Sequence, residues 1–272
     1  MDGVVGMIDL HNHLLHGLDD GARTLEQSIQ MCEISHRDGI RTIVATPHTL
    51  NGTYQNNRSI ILARVQELNS ALEASEFPLD KQRSGPAFNL QSAIRNPQSE
   101  LPLTILPGAD VHLNQETISQ LDQGKVTTLG DRGKSLLIEF PFQNIPHGAE
   151  EVLRRLIERG IIPVITHPER NLEVVRRPER YYEMIRMGCL GQVTAGSLTG
   201  EFGPEAKRCA ETLLNDALLH VIASDAHSTD ERSPILTPAV EAAKRIVGEK
   251  EAWNMVTEYP RAILEGEPPH AP

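Results

Sequence analysis

The chain has 272 residues and a formal net charge of −11, which allows one large α/β domain and disfavours a protein that binds duplex nucleic acid. Aromatic residues make up only 4% of the sequence, so a nucleic-acid surface of stacked rings is not expected either. Carboxylates within that negative charge can hold cations, and a locally positive site is therefore compatible with an acidic chain.

Short apolar runs alternate with longer helical patterns, and the runs are rich in Ile, Val and Leu on both faces, as buried parallel strands are. The predicted strands are Met7–Asn12, Thr42–Thr46, Leu103–Val111, Ser135–Phe140, Ile161–Thr166, Leu190–Thr194 and His220–Ser224. The predicted helices are Thr24–Arg37, Ser59–Ala74, Ala149–Arg159, Pro178–Met187, Pro204–Leu214 and Thr237–Gly248. Seven strands with crossover helices predict a single α/β domain over residues 1–272, folded as a TIM-like (β/α) barrel.

Two segments depart from this alternation. Leu79–Pro102 is polar, rich in Pro, Gly, Asn and Gln, and lacks a clear period, which predicts a long inserted surface loop. The tail from Gly266 is predicted to be frayed. The first apolar stretch, Val4–Leu10, is too short and lacks the basic leader of a secretory signal. Because no window is apolar enough to span a membrane, we expect a cytoplasmic protein with no membrane insertion.

The cysteines are spaced neither as a disulfide framework nor as a zinc knuckle. They are Cys32, Cys189 and Cys209. Reduced thiols in a cytosolic protein are the expected state. A cysteine-based phosphatase needs an arginine six positions after its thiolate, and the residues found there are Asp38, Ala195 and Asn215. That mechanism is excluded.

Histidine and aspartate residues follow the ends of five predicted strands. They are His11 and His13, His48, Asp110, His167, and Asp225 with His227, while Asp20 lies seven residues after His13. One such residue alone is more often a core histidine or a helix cap than a ligand. The C-terminal ends of barrel strands, however, meet around one cleft, and imidazole with carboxylate suits Zn, Mn and Fe. The pattern therefore predicts a site for two or three divalent cations.

The other histidines do not fit this pattern and are left out of the predicted site. They are His16, His36, His112, His147, His220 and His270.

Ordered motifs carry a resemblance to a known family. The motifs are Ile8–His13, Gly17–Ala22, Ala45–His48, Leu106–Ala109, Ile138–Pro141, Thr166–Asn171 and Ala223–His227. In this order they resemble the PHP (polymerase and histidinol phosphatase) superfamily. More narrowly, the chain resembles the bacterial manganese-dependent protein-tyrosine phosphatases of capsule and exopolysaccharide operons, over roughly Met7 to Glu265. This implies a distorted (β/α)7 barrel with a trinuclear site, Mn being the expected metal and Fe, Zn or Co the alternatives.

The resemblance also implies roles for matching positions. The implied sets are His11, His13 and Asp225 for one metal, His48 and His167 for a second with Asp110 bridging the two, and Asp20 with His227 for the third. Arg170 matches an arginine that binds substrate phosphate, and Arg232 matches a second. His227 or Asp20 would protonate the leaving group.

One position departs from the family pattern. Asp110 stands where the family usually has Glu, so its carboxylate is one methylene shorter and the second metal site could be altered. Glu139, at the end of the fourth predicted strand, is a fallback acidic ligand, although a structural role is favoured.

The expected reaction is hydrolysis of a phosphomonoester without a phosphoenzyme. The resemblance implies phosphotyrosine as substrate, specifically the tail of a tyrosine kinase of polysaccharide assembly, with histidinol phosphate or another small phosphoester as the alternative. An amidohydrolase would be expected to bridge its metals with a modified lysine, and no lysine stands at a predicted strand end. A decayed barrel that only binds a kinase is the remaining alternative.

Overall fold

The computed structural model describes residues 6–75 and 102–269. The strands in these ranges are β1 Met7–Asn12, β2 Ile40–Ala45, β3 His48–Thr49, β4 Thr104–Pro107, β5 Asp110–His112, β6 Ser135–Glu139, β7 Ile162–Thr166, β8 Leu190–Thr194 and β9 Val221–Ala223. The helices are α1 Leu25–Arg37, α2 Arg58–Ala74, α3 Thr117–Asp122, α4 Ala149–Glu158, α5 Leu172–Arg176, α6 Glu179–Arg186, α7 Ala195–Thr199, α8 Gly203–Asn215, α9 Thr237–Val247, α10 Glu249–Asn254 and α11 Glu258–Glu265. The insertion predicted at 79–102 lies outside the described residues, except for residue 102.

The strands form two parallel sheets, one of order β1-β2-β4 and one of order β3-β5-β6-β7-β8-β9. In the first sheet Ala45 pairs with Pro107, and in the second His48 pairs with Asp110. The two partners are the same number of residues apart along the chain in both pairs. Therefore β2 and β3 are two stretches of one strand position, and β4 and β5 are two stretches of the next. The described chain therefore has seven parallel strand positions.

The first and last strand positions meet at their C-terminal ends. A parallel bridge joins Asn12 to Ala226. The His13 amide donates to the Ala226 carbonyl at 2.9 Å, and the Asp225 amide donates to the His11 carbonyl at 2.8 Å. The predicted α/β fold with the strand order of a TIM-like barrel is confirmed, with the first and last positions joined by these few bonds and no extended ladder.

The prediction that Leu103–Val111 forms one continuous strand is wrong. The strand is interrupted at Gly108, where a Cβ atom would lie 2.6 Å from Val44 Cγ1. The neighbouring position is interrupted at Pro47, which has no N–H to donate to a ladder. Both interruptions lie immediately before a candidate ligand, so β3 and β5 begin with His48 and Asp110.

The longer helices follow the prediction closely because their ends carry local signals. The Thr24 side chain accepts from the Gln27 amide at 3.2 Å, and the Gln27 side chain accepts from the Arg23 amide at 2.8 Å, so α1 is capped as expected. The shorter helices were not predicted, since one or two turns give no readable apolar period. None of the described helices combines the length and apolar character that a membrane crossing requires.

A buried carboxylate holds the first and last strand positions together. Asp9 accepts from the Ser224 amide at 2.9 Å, the Ser224 hydroxyl at 2.5 Å, the Asn12 side chain at 3.0 Å and the His11 amide at 3.4 Å. Burial raises the pKa of Asp9, while these bonds oppose that shift. Since Asn12 and Ser224 flank candidate ligands, Asp9 also fixes the backbone that carries them.

We expect Asp9→Ala to lower the free energy of unfolding by about 3 kcal/mol, because it leaves buried donors without acceptors. Urea unfolding of metal-free protein measures this. The matched control is Asp131→Asn, which weakens the ion pair of Asp131 with Arg58, a side chain that is 45% exposed, and should cost below about 1 kcal/mol. Equal losses in the two variants would contradict the linking role of Asp9.

Candidate metal centre

Two histidines at the end of β1 point their Nε2 atoms at each other. His11 Nε2 and His13 Nε2 lie 3.0 Å apart, and both side chains are fully buried. Two imidazole lone pairs at this separation repel each other unless a proton or a cation lies between them. The pair therefore forms one edge of a cation site.

Hydrogen bonds at the opposite ring nitrogens orient three of the histidines. His11 Nδ1 lies 2.9 Å from Gln192 Oε1, His13 Nδ1 lies 2.8 Å from Asp19 Oδ2, and His227 Nδ1 lies 2.9 Å from the Asp225 carbonyl. Since each partner is an oxygen acceptor, Nδ1 carries the proton and Nε2 is left free to bind a metal. Asp19 and Gln192 were not predicted. Asp19 had the signal of standing beside Asp20, whereas Gln192 had none.

Two carboxylates complete the group around His11 and His13. Asp225 Oδ1 lies 3.5 Å from the Nε2 atoms of both histidines, and Asp110 Oδ2 lies 3.6 Å from His11 Nε2. Metal bonds of about 2.1 Å to nitrogen and oxygen place neighbouring donor atoms about 3.0–3.5 Å apart. His11, His13 and Asp110 therefore form one group that could hold a cation, and Asp225 Oδ1 lies beside both histidines.

Asp110 also reaches a second group, although it is shorter than the family's Glu. Its Oδ2 lies 3.3 Å from His48 Nδ1, which in turn lies 3.4 Å from Glu139 Oε2. Both Asp110 Oδ2 and His48 Nδ1 are buried and make no well-formed hydrogen bond among the described residues. Buried polar atoms without hydrogen-bond partners are costly, so a cation between them fits this arrangement. The structure places Glu139 with the candidate ligands.

A third group lies toward solvent. Asp20 Oδ1 lies 3.5 Å from His48 Nε2 and 3.6 Å from His227 Nε2, and His13 joins the same group. The Asp20 side chain is 53% exposed, whereas that of His227 is 7% exposed. Asp20 therefore lies at the mouth of the centre. Among the described residues, six of the eight predicted ligands fall into groups of at least three potential metal ligands, and Asp225 and His167 do not.

His167 lies at the edge of the centre, where its ring centroid is 5.9 Å from that of His11. Its Nε2 lies 3.6 Å from Glu139 Oε1, so Glu139 stands between His48 and His167, which the resemblance pairs at one metal. Both His167, with φ 34°, and Asp225, with φ 51°, adopt the left-handed backbone conformation, which costs a non-glycine residue about 1–3 kcal/mol and clusters at functional sites. Which ligands belong to which metal stays a prediction.

The pKa values in the centre separate into two sets. Burial by itself would lower the pKa values of His13 and His48, but the nearby carboxylates outweigh it and raise these values to about 9 and about 12. For His167 and His227 burial prevails, and the pKa is about 4 for each. Burial alone would raise the pKa of Asp225, but His11, His13, Arg232 and His227 hold it well below its usual range. A cation that binds here must displace protons from His13 and His48.

Both predicted arginines end on a single oxygen of Asp225. Arg170 Nη1 lies 2.6 Å and Arg232 Nη2 lies 2.7 Å from Asp225 Oδ2. Asp225 Oδ1 faces His11 and His13, so this carboxylate lies between the histidines and the guanidinium groups. The two arginines therefore flank the candidate metal centre, and their role in binding a phosphoryl group stays a prediction.

Three of the histidines left out of the prediction have other partners. His220 Nδ1 accepts from the Gly191 amide at 3.1 Å, and His16 Nε2 lies 3.0 Å from Arg64 Nη1. His112 Nδ1 lies 3.5 Å from Glu139 Oε2 and so touches the margin of the centre. His270 lies outside the described residues.

A further buried acid, Glu169, supports the turn after β7. Its Oε1 accepts from the Ser197 hydroxyl at 2.6 Å and from the Thr194 amide at 3.1 Å, while its Oε2 has no hydrogen-bond partner among the described residues. Burial raises the pKa of Glu169 to about 7, although these bonds and the charge of Arg170 oppose the shift. It belongs to none of the groups of potential ligands.

We expect Glu139→Gln to lower metal content, with affinity for at least one cation falling about 10-fold or more. Metal analysis after equilibrium dialysis against Mn²⁺ measures this. Glu169→Gln is the matched control, because Glu169 is equally an interior acid but lies outside the ligand groups. Full metal content in Glu139→Gln would give Glu139 a structural role.

We also expect Glu169 to make stability depend on pH. Its pKa is about 7 in the folded protein against an ordinary value of 4.5, so the folded state holds the proton more tightly. The resulting stabilisation is fully present below pH 4.5 and is lost as the pH rises to about 7. As the pH rises through this window, the free energy of unfolding of Glu169→Gln should therefore increase by up to about 3 kcal/mol relative to that of the wild type. Urea unfolding of both metal-free proteins at several pH values tests this, and a constant difference would contradict it.

Comparison with known proteins identifies relatives over nearly the whole chain. The chain is 34% identical over 261 residues to the tyrosine-protein phosphatase YwqE of Bacillus subtilis, covering 96% of this chain and 92% of that protein. It is 30% identical over 264 residues to the tyrosine-protein phosphatase CpsB of Streptococcus agalactiae serotype III, covering 95% and 98%.

One solved structure matches the chain with a TM-score of 0.85 at 33% sequence identity. The match covers 98% of this chain and 97% of that chain. That structure is described as belonging to the metal-dependent tyrosine phosphatases YwqE from Bacillus subtilis and CpsB from Streptococcus pneumoniae. The sequence profile for capsular polysaccharide synthesis, CpsB/CapC, matches residues 7–85 and 79–265. These matches confirm the narrower resemblance inferred from the motifs, which is to the bacterial protein-tyrosine phosphatases of capsule and exopolysaccharide operons. The chain belongs to the CpsB/CapC family of capsular polysaccharide synthesis.

Proposed function

We propose that this chain is a metal-dependent protein-tyrosine phosphatase. The observation that carries the proposal is that one residue, Asp225, contacts both the candidate metal ligands and the two arginines. Its Oδ1 lies 3.5 Å from both His11 and His13, while its Oδ2 accepts from Arg170 and forms an ion pair with Arg232. A cation centre next to two guanidinium groups suits a substrate that carries a phosphoryl group.

The candidate ligands fit two or three divalent cations by their donor types and spacing, with Mn²⁺ proposed as the metal in use. The proposed ligands are His11, His13, Asp20, His48, Asp110, Glu139, His167, Asp225 and His227. Cations bound there would supply positive charge at the phosphoryl oxygens and lower the pKa of a water molecule toward neutrality.

Arg170 and Arg232 are proposed to bind the phosphoryl oxygens. Each donates one nitrogen to Asp225, which leaves further N–H groups of each guanidinium for a substrate. Their charge would stabilise the negative charge that spreads over the phosphoryl oxygens during the reaction. No cysteine takes part, because Cys32 and Cys189 are buried and burial raises the pKa of Cys189 and Cys209 to about 12.

In the metal-free protein the pKa values of Asp20 and His227 both lie below their ordinary values. The neighbouring His227 lowers the pKa of Asp20, and burial lowers the pKa of His227 to about 4. Their positions suit metal ligands better than a general acid. A tyrosine phenolate, with a pKa of about 10, needs less help in leaving than an alkoxide does, so phosphotyrosine is the chemically consistent substrate.

The proposed physiological substrate is a phosphotyrosine protein, specifically a bacterial tyrosine kinase of polysaccharide assembly, in the cytoplasm. The support is the relatives' description as tyrosine-protein phosphatases and the family's description as capsular polysaccharide synthesis. Neither nucleic acid nor membrane insertion is part of the proposal.

The test is hydrolysis by metal-stripped protein before and after addition of Mn²⁺. The substrates are a phosphotyrosine peptide, a phosphoserine peptide and histidinol phosphate. We expect Mn²⁺ to restore activity selectively on the phosphotyrosine peptide. The variant with both His11→Ala and His13→Ala should lose at least about 1000-fold of that activity, because it removes the site of one cation. His147→Ala, which changes an exposed histidine outside the centre, should retain full activity.

Each other outcome identifies a different error. Selectivity for histidinol phosphate would keep the metal-dependent chemistry and overturn the substrate. Metal binding without turnover of any phosphoester would indicate a protein that only binds its partner. Full activity in the variant lacking both histidines would overturn the metal centre itself.

A further inference from the structure

Two positive side chains share one carboxylate oxygen at the edge of the metal centre. Arg170 Nη1 and Arg232 Nη2 lie 2.6 Å and 2.7 Å from Asp225 Oδ2. Like charges held this close repel each other, and the other oxygen of Asp225 faces His11 and His13. Arg232 Nη2 also donates to the Asp225 backbone carbonyl at 3.0 Å, whereas Arg170 contacts Asp225 through the carboxylate. The Asp225 carboxylate by itself therefore does not fix the planes of both guanidinium groups.

An aromatic ring supplies a second surface for both arginines. The Cζ atom of Arg170 lies 4.2 Å, and that of Arg232 lies 5.7 Å, from the centroid of the Phe202 ring. The negative face of an aromatic ring attracts guanidinium cations within about 6 Å. The Phe202 ring therefore offsets part of the repulsion between the two arginines and limits where their planes can lie.

The neighbouring backbone leaves space for this ring. At Gly196, a Cβ atom would lie 2.8 Å from Phe202 Cε2 and 3.2 Å from Phe202 Cδ2. The backbone of Gly196 is not in the left-handed conformation, so conformation alone does not require glycine there. The same Cβ atom would also lie 2.8 Å from Glu201 Oε2. Glycine at this position thus makes room for the phenyl ring and for the Glu201 carboxylate.

Both guanidinium groups keep donors that are free for a ligand. Arg232 Nε is buried and has no hydrogen-bond partner among the described residues. The side chains of Arg170 and Arg232 are 22% and 28% exposed, respectively, so each can be reached from the cleft. A phosphoryl group that approached the metal centre would meet donors whose direction the Asp225 carboxylate and the Phe202 ring set together.

We propose that Phe202 is a positioning residue, whose ring holds Arg170 and Arg232 in the orientation that binds the phosphoryl group of the substrate. This inference rests on the proposed function, in that it takes the ligand of the two arginines to be a phosphoryl group. Phe202 acts through the arginines and does not itself contact the reacting atoms.

The alternative is that Phe202 only fills space at the start of α8. The two roles differ in what a side chain must supply. Leucine fills much of the same volume but has no aromatic face, whereas tyrosine keeps the face. A positioning role therefore predicts that Phe202→Tyr resembles the wild type and Phe202→Leu does not.

The experiment compares the metal-loaded wild type with Phe202→Leu, Phe202→Tyr and Gly196→Ala. Two quantities are measured: the Kd of inorganic phosphate by calorimetry, and KM and kcat on a phosphotyrosine peptide. We expect Phe202→Leu to raise the phosphate Kd and KM about 5- to 30-fold with a smaller change in kcat. Phe202→Tyr should stay within about 2-fold of the wild type. Gly196→Ala should shift the ring and weaken phosphate binding in the same direction.

A matched control tests an aromatic–cation pair outside the centre. Lys244 Nζ lies 5.3 Å from the centroid of the Trp253 ring. Trp253→Leu removes this pair and should leave the phosphate Kd and the metal content unchanged. Metal content should also be unchanged in Phe202→Leu, because Phe202 is not a ligand.

The proposal is overturned if Phe202→Leu binds phosphate as the wild type does, if Phe202→Tyr is as impaired as Phe202→Leu, or if Phe202→Leu loses metal. Should Phe202→Leu not fold, normal phosphate binding by Gly196→Ala overturns it. Because phosphate binding needs no turnover, a wild type that binds phosphate through this ring but does not hydrolyse phosphotyrosine would refute the proposed function and leave the positioning role intact.

Discussion

The centre depends on one constraint, which is that several buried nitrogen and oxygen atoms face each other at distances that a bound cation would bridge. The Nε2 atoms of His11 and His13 are 3.0 Å apart, and Asp110 Oδ2 and His48 Nδ1 are buried without well-formed hydrogen bonds. Protons satisfy part of this arrangement in the metal-free protein, which is why the pKa values of His13 and His48 are raised to about 9 and about 12. Cations satisfy it more completely, because one cation serves several donors at once.

The fold holds these donors together at some cost in backbone strain and buried charge. Asp9, a buried acid, joins the first and last strand positions through Ser224 and Asn12. Asp225 adopts the left-handed conformation directly after Ser224. Glu169, another buried acid, is fixed by Ser197 and Thr194. Such costs are typical of functional sites, where geometry is maintained at the expense of stability.

Much of the site could be predicted because strand-end position and residue type are both local in the sequence. His11, His13 and Asp225 lie where the rule that barrel strands end at a common cleft places them. The break of the third predicted strand at Gly108 could not be predicted in the same way, because it results from contact with Val44 of a different strand. Contacts between distant segments leave no period in the sequence.

The roles of Gln192 and Phe202 are hidden for the same reason. Gln192 lies inside β8, and its side chain meets His11 only because folding brings β8 and β1 to either side of β9. Phe202 precedes α8 and contacts arginines from two other loops. Neither residue type is a common signal of a metal or phosphate site, so only the three-dimensional arrangement shows what they contact.

Asp110 and Glu139 show how a departure from a family pattern can be compensated locally. The shorter Asp110 carboxylate still lies 3.6 Å from His11 and 3.3 Å from His48, because β5 begins at Asp110 and the strand break at Gly108 sets its starting point. Glu139 has a longer side chain and reaches His48, His112 and His167 from the neighbouring strand β6. Asp110 and Glu139 therefore approach the candidate ligands from neighbouring strands and meet at His48.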